Sequence, residues 1–475
     1  MRSSDISNKA PDHSKASTID TPSTPSTPSI PSTPSTPSKP SIPSIPSTPS
    51  TPVLIITYYW PPSGGAGVQR WLKFSKYLPE TGWEPVILTV DTEYAVYPFI
   101  DSSLNEDVPA NLKVYRTKAL NWFRIYAKDK SRIPSAGFAR NDDKTLKGRI
   151  SRFIRGNFFI PDPRRGWNRY AFKKASVIIK DFDIKHIITT GPPHSTHLIG
   201  LRLKRKHPKI RWIADLRDPW TGIYYNRKFY RTAFARWLDN RYEKNVLTES
   251  DFLITVGQSC KEAYCRLVKG IENKFSIIEN GYDPEDFSGL MPEKPEKPVL
   301  TYAGTISDAY PVEGLTAALK NLADENIRYN FRFVGTVPCR VRDSLVKELP
   351  GSPPEFISYL EHRKALELMM KSSVLVLIIP DHESNKSIIT GKLFEYMATG
   401  RPVMCLGPAD GDAAGILEKT CTGKTFGYND IKGITDFLRR AVDTECNVNL
   451  KEVMEYTRIK LTRKITGVLN FPDKY

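Results

Sequence analysis

The chain has 475 residues, 40% of them hydrophobic, and a formal charge of +17, enough length and apolar content for two globular domains or one large one. The longest strongly apolar run, 374–379, is far short of the roughly 20 residues a membrane helix needs, and the first twenty residues carry Asp5, Lys9, Asp12 and Lys15 and no secretory pattern. The excess charge is local: residues 101–250 hold 33 Lys and Arg against 14 Asp and Glu, or +19. Such a segment suggests an anionic partner (nucleic acid, anionic lipid or a phosphorylated substrate) or a solvated basic surface. The cysteines at 260, 265, 339, 405, 421 and 446 make no C-x-x-C pair and do not cluster with histidines. They read as free thiols in a reducing compartment, with no zinc site.

Residues 1–52 are read as a disordered, low-complexity tail, because from 21 on a Pro-Ser triplet repeat removes backbone donors and offers nothing apolar to bury. It reads as a spacer or a binding segment. The text changes at 53. "VLIIT" (53–57) is a buried strand, followed by the glycine cluster Gly64, Gly65 and Gly67 and a helix over 68–78. Strand, glycines and helix in that order suit a bound phosphate. Yet the third position of a G-x-G-x-x-G motif is Arg70, which argues against a dinucleotide-binding dehydrogenase. Further strands are expected at 84–90, 184–190, 211–216, 252–256 and 275–280, with helices over 195–206 and 229–247. After the Pro- and charge-rich linker 292–298 the alternation restarts: strands at 299–304, 329–335, 355–360, 374–379 and 402–407, and helices at 312–324, 339–348, 363–371 and 390–399. Short apolar runs alternating with amphipathic helices predict parallel sheets covered on both faces. The expected division is an N-terminal domain over 53–291, a C-terminal domain over 299–448, and a final helix in 449–475 packing back on the first.

Four stretches carry candidate chemistry. The region 113–174 mixes Trp122, Phe123, Tyr126, Phe153, Phe158, Phe159, Trp167 and Tyr170 with many cations. It suits an anionic membrane surface, single-stranded nucleic acid or a loop with structural aromatics. "TTGPPHSTH" (189–197) follows a strand, so His194 stands at a carboxyl edge, where it meets an acceptor hydroxyl or a donor sugar, or caps the next helix. In "ADLRDPW" (214–220), Asp215, Arg217 and Asp218 pair with one another, or Arg217 recognises sugar hydroxyls or an acceptor phosphate. In "SIITGKLFEYMATGRPVMCLG" (387–407), Thr390, Gly391 and Lys392 open a helix, and its free N–H groups, its dipole and the lysine suit a phosphate. Glu395, nearly one turn on, can accept from the vicinal hydroxyls of a ribose; an ordinary surface Glu and Lys is the other reading.

"GKLFEYMATGRPV" resembles the donor-binding helix of family-4-type glycosyltransferases of the GT-B fold. "ENGYDPEDF" (279–287), "TYAGTIS" (301–307) and "YYWPPSGGAGVQR" (58–70) resemble other family segments in the family's order, and "FIPDPRRGW" (159–167), "TTGPPHSTHLIG" (189–200) and "ADLRDPW" resemble a bacterial subgroup of surface-polysaccharide assembly. The resemblance covers about 53–465. It implies an α/β GT-B fold of two Rossmann-like domains facing across a cleft. It implies a nucleotide-sugar donor and a glycan or lipid-pyrophosphate-linked acceptor. The reaction is then metal-independent and retaining, with no cofactor, in a cytoplasmic protein peripheral on the membrane. By the same resemblance Glu395 holds the ribose, Thr390, Gly391 and Lys392 lie near the diphosphate, and Gly304 and Thr305 let the facing turn approach. Three departures stand out: Ser387 replaces the family's first Glu, Thr305 an Arg, and Glu313 a Lys. Lys392 or Arg363 must then supply the positive charge. His194 is the candidate catalytic group, Asp215 and Arg217 candidate contacts for the acceptor or sugar, and Gly64, Gly65, Gly67 and Arg70 the opposing half of the clamp. The rival readings are a nucleic-acid-binding protein using the basic segment and a sugar-nucleotide epimerase on the same fold.

Overall fold

The computed structural model describes residues 50–120 and 145–472, less 224–225, 227–228, 294, 308–309 and 442–446. The tail up to residue 49 and the aromatics Trp122, Phe123 and Tyr126 lie outside the described residues.

The first sheet contains β1 (Thr51–Ile56), β2 (Trp83–Val90), β3 (Lys113–Thr117), β4 (His186–Gly191), β5 (Arg211–Leu216), β6 (Phe252–Thr255) and β7 (Phe275–Ile277), in the order β3-β2-β1-β4-β5-β6-β7. Every pairing is parallel: Leu54 stands between Val86 of β2 and Ile187 of β4. β1, β4 and β5 are apolar runs rather than alternations because helices cover both faces, and Val53–Ile56 are fully buried. β1 starts at Thr51, two residues before the compositional boundary, because pairing with Trp83 and Glu84 draws Thr51 and Pro52 in. β3 was hidden in the basic segment: as an edge strand its residues are exposed or half-buried and carry no apolar run.

The second sheet contains β8 (Val299–Ala303), β9 (Asn330–Val334), β10 (Glu355–Ile357), β11 (Val374–Ile378), β12 (Val403–Leu406) and β13 (Gly423–Phe426), in the order β10-β9-β8-β11-β12-β13. The strand order of each sheet reverses once, between β1 and β4 and between β8 and β11. Ligands of such sheets sit in the crevice beyond the carboxyl ends at that switch.

The two halves are joined at several points. Leu461, Ile465, Val468 and Leu469 of the last helix, Arg458–Leu469, enter the core of the first sheet, whereas Val453 and Tyr456 just before it belong to a core of the second. Arg458 N donates to Tyr282 O at 2.8 Å, and Ser259 Oγ donates to Asp412 at 2.8 Å. At the lip of the cleft Tyr359 stacks on Phe99, with centroids 6.1 Å apart, and its hydroxyl donates to Asp101 at 3.0 Å.

Candidate active site

A cavity of about 550 Å³ lies between the carboxyl edges of the two sheets. Gly64, Gly65 and Gly67 line it from the first domain, and Gly304, Thr305, Thr390, Gly391, Lys392 and Glu395 from the second. The size suits a drug-sized or nucleotide-sized ligand.

The second-domain wall is built around the helix Gly391–Ala398. Its inner face, Leu393, Phe394, Tyr396 and Met397, is buried against β8, β11 and β12, which fixes the outer face toward the cleft. Thr390 caps the helix with an extended backbone (ψ 148°), but its hydroxyl makes no capping bond and has no partner among the described residues. The first turn therefore presents free N–H groups, an unengaged hydroxyl and the positive end of the dipole to the cavity. Lys392 folds over the ring of Tyr302, 4.1 Å from the centroid, and donates to its hydroxyl at 2.8 Å. Gly304, at φ 127°, makes room for it: a Cβ there would stand 2.8 Å from Lys392 Nζ. Desolvation by these walls pulls the Lys392 ammonium down to about pKa 7, against a weaker upward pull from Glu395. An arriving anion would restore its charge.

Glu395 meets a residue that the sequence did not single out. His362 Nε2 lies 2.9 Å from Glu395 Oε1. Burial works against the charged imidazole, yet Glu395 beside it, with Asp286 behind, raises its pKa above the ordinary histidine range. The pair holds one Glu395 oxygen and leaves the other for a ligand. His362 opens the helix His362–Met370, and only the sheet's closure brings it to a glutamate 33 residues away. No local signal marks it. Asp218, exposed to the cleft, also lines it and was not singled out as a site residue.

Other candidates stand elsewhere. Arg363 does not line the cavity; its side chain is 58% exposed and donates to Ser288 O at 3.1 Å, so of the two candidate cations Lys392 is the one in the cleft. Arg70 and Asp215 are fully buried and bind each other at 2.9 Å. Arg70 also donates to Ile278 O and Glu279 O, and Asp215 also accepts from Trp71 and Thr190. Asp215 thus pairs with Arg70 rather than within its own motif, and neither residue lines the cleft, because Arg70 and Trp71 of helix Ala66–Tyr77 both bond the Asp215 carboxylate. Arg217 does line it, held by Gly191 O, Gly67 O and Pro192 O, at 2.9, 2.9 and 3.1 Å. Gly67 leaves space for this guanidinium, since a Cβ there would be 3.1 Å from Nη1.

His194 lines a smaller adjoining cavity rather than the main one. It is 7% exposed and stacks on Trp220, with centroids 5.0 Å apart. Burial, then His197 and Arg217, hold its pKa well below the usual histidine value. Of the departures from the family pattern, Ser387 lines the cleft and its hydroxyl donates to Ser384 O. Glu313 faces away and accepts from Val312 N. Among the described residues no group of three or more His, Cys, Asp or Glu is arranged for a metal, and no helix is long and apolar enough to cross a membrane.

Residues 134–286 match the family model described as Glycosyltransferase Family 4. No curated protein matches the sequence. Among solved structures, a glycosyltransferase from Rickettsia africae ESF-5 is similar with a TM-score of 0.56 at 13% identity, over 89% of this chain and 100% of that one. A lipopolysaccharide outer core galactosyltransferase, WaaB, gives 0.55 at 10% identity over 88% and 99%. A putative UDP-N-acetylglucosamine 2-epimerase from Listeria monocytogenes gives 0.51 at 11% identity over 88% and 96%. Identities this low establish the fold alone. The two parallel-sheet domains form a GT-B fold, and the first of them carries a segment of the family-4 glycosyltransferase type.

Proposed function

We propose that the protein is a glycosyltransferase that moves a sugar from a nucleotide diphosphate to a hydroxyl of a glycan or lipid-linked acceptor, in surface-polysaccharide synthesis. The observation that carries this reading is the convergence of Thr390, Gly391, Lys392 and Glu395 on one wall of the 550 Å³ cleft. The helix start and Lys392 stabilise the leaving diphosphate as its charge develops, which is the electrostatic help the transfer needs and which requires no metal. Glu395, steadied by His362, takes the ribose hydroxyls. The glycine loop and Arg217 approach from the first domain, and water is expelled as the walls meet. Attack from the face of the departing diphosphate gives retention.

The acceptor side suits a membrane boundary. Leu146, Ile150 and Phe153 form one stripe of the helix Leu146–Phe158 and are 72, 52 and 43% exposed. Phe234 and Trp237, on the neighbouring helix Ala233–Glu249, are exposed too, and Arg241 sits over the Trp237 ring. Apolar side chains among arginines fit an anionic lipid surface, so the protein acts peripherally on the inner face of the cytoplasmic membrane. Charge reversal at Arg149 and Arg236 should release it from anionic vesicles; unchanged binding would remove the membrane from this reading.

Epimerase activity is the second reading, favoured by the fold shared with the Listeria protein. A screen of UDP- and GDP-sugars by thermal shift, followed by product analysis, separates the two. A transferase releases nucleotide diphosphate in proportion to acceptor glycosylated. An epimerase returns an isomeric nucleotide sugar and needs no acceptor.

A further inference from the structure

Three carboxylates line the main cleft: Asp101 and Asp218 from the first domain, and Glu395 from the second. Two of them are engaged by the fold. Asp101 accepts from the Tyr359 hydroxyl at 3.0 Å and from the Ser103 hydroxyl, and Glu395 pairs with His362. The Asp218 side chain opens to the cleft and takes no hydrogen bond or ion pair from any described residue. It stands two residues past β5, at the carboxyl edge where ligands of such sheets sit. Its backbone is fixed there. The Asp218 carbonyl accepts from the hydroxyl of the buried Tyr264 at 3.0 Å, and Pro219 after it restricts its dihedrals. The neighbouring Arg217 directs Nε, Nη1 and Nη2 at three backbone carbonyls, so it lends this wall a positive charge without clasping the carboxylate. Desolvation by the surrounding walls raises the Asp218 pKa above the ordinary carboxylate value, against the pull of Arg217. A carboxylate so placed gains from any donor that a ligand brings. A metal ion is poorly served here: Arg217 is adjacent, and among the described residues no group of three or more His, Cys, Asp or Glu is arranged for one.

We infer that Asp218 binds the acceptor, taking a hydrogen bond from a hydroxyl of an uncharged sugar. A hydroxyl can donate to either carboxylate oxygen, whereas a phosphate or carboxylate of the acceptor would be repelled at this point. Pro192, Pro219 and Ile223 line the same cleft and offer apolar surface to the C–H face of a sugar ring. Asp218 belongs to the first domain, and Lys392 and Glu395 to the second, so a hydroxyl held here meets the donor sugar from across the cleft. The inference deepens the glycosyltransfer reading and rests on it. It also divides the "ADLRDPW" motif into three tasks: Asp215 holds the frame, Arg217 ties three loop carbonyls together, and Asp218 meets the substrate.

The test uses the full chain, the nucleotide sugar that binds wild type best, and p-nitrophenyl glycosides of glucose, galactose, mannose and N-acetylglucosamine as probe acceptors. Wild type should glycosylate at least one of them. For that acceptor, kcat/KM should fall about tenfold or more in Asp218→Ala, the loss expected for one hydrogen bond to a charged group. Asp218→Asn keeps an acceptor oxygen without the charge and should fall between the two. Donor Kd by calorimetry and the urea unfolding midpoint should hold in both variants, which a structural role would not allow. Wild-type kcat/KM in Asp218→Ala overturns the assignment, as does a matching loss of donor affinity, or a wild type that binds donor and glycosylates none of the probes. Should Asp218→Ala not fold, an unchanged kcat/KM in the isosteric Asp218→Asn overturns it instead. Failure of the underlying reading looks different: wild type then binds no nucleotide sugar, or binds it equally well after Glu395→Ala.

Discussion

At the carboxyl edge of the first sheet Arg70 and Asp215 close on each other at 2.9 Å and neither reaches the cleft; at the matching edge of the second, Lys392 and Glu395 both line it. The strand orders of the two sheets are alike around their switch points. What differs is how the polar groups are engaged. In the first domain the strongest charges at the edge are satisfied by the fold itself, with Trp71, Thr190 and two carbonyls completing the network. In the second, the Thr390 hydroxyl has no partner among the described residues, Lys392 is desolvated, and Glu395 is held by one oxygen. Similar scaffolds thus yield a closed frame on one side and, on the proposed reading, a binding wall on the other.

The largest expected effect tests the frame. Asp215→Ala leaves the buried Arg70 guanidinium uncompensated and should cost about 3–5 kcal/mol of stability, measured by urea unfolding. Nucleotide-sugar affinity of the folded fraction should hold. A loss of affinity without a loss of stability would place Asp215 on the binding side and dissolve the contrast. Next comes Glu395→Ala, which should leave the unfolding midpoint nearly unchanged and weaken donor binding by about 10- to 100-fold, the range for losing hydrogen bonds to a charged group.

How far these roles can be seen in the sequence differs between the two walls. The alternation of strands and helices is legible because parallel strands buried on both faces read as apolar runs. β3 and β13 escaped because each is an edge strand, with residues such as Lys113 and Lys424 exposed. The Thr390–Glu395 stretch is legible because helix start, lysine and glutamate are contiguous. His362 is not, since its pairing depends on how two helices of one sheet meet. Arg70 and Asp215 looked like site residues because one closely follows the glycine loop and the other stands near the carboxyl end of a strand. Only the packing of helix Ala66–Tyr77 shows that they face each other.

A pH experiment sharpens the contrast further. Lys392 titrates near 7 in the folded chain against about 10.5 free, so between those values the unfolded state binds more protons and this lysine's contribution to stability rises with pH. Diphosphate binding favours its charged form. Above pH 7.5 binding should therefore take up a proton, and affinity should fall by up to about tenfold per pH unit as pH rises. Calorimetry in buffers of different ionisation enthalpy reads the uptake, and Lys392→Met should abolish it. An unchanged uptake in that variant would assign the proton elsewhere. The smallest effect belongs to the lip: Tyr359→Phe removes the hydrogen bond to Asp101, at about 0.5–1.5 kcal/mol, and should raise the donor KM a few-fold with the fold intact.

The most direct measurement is a titration of the best-binding nucleotide sugar into wild type, Glu395→Ala and Asp215→Asn side by side. Tight binding that collapses in Glu395→Ala and persists in Asp215→Asn is the result the structure predicts. Equal binding to wild type and Glu395→Ala would contradict the placement of the donor on the second domain.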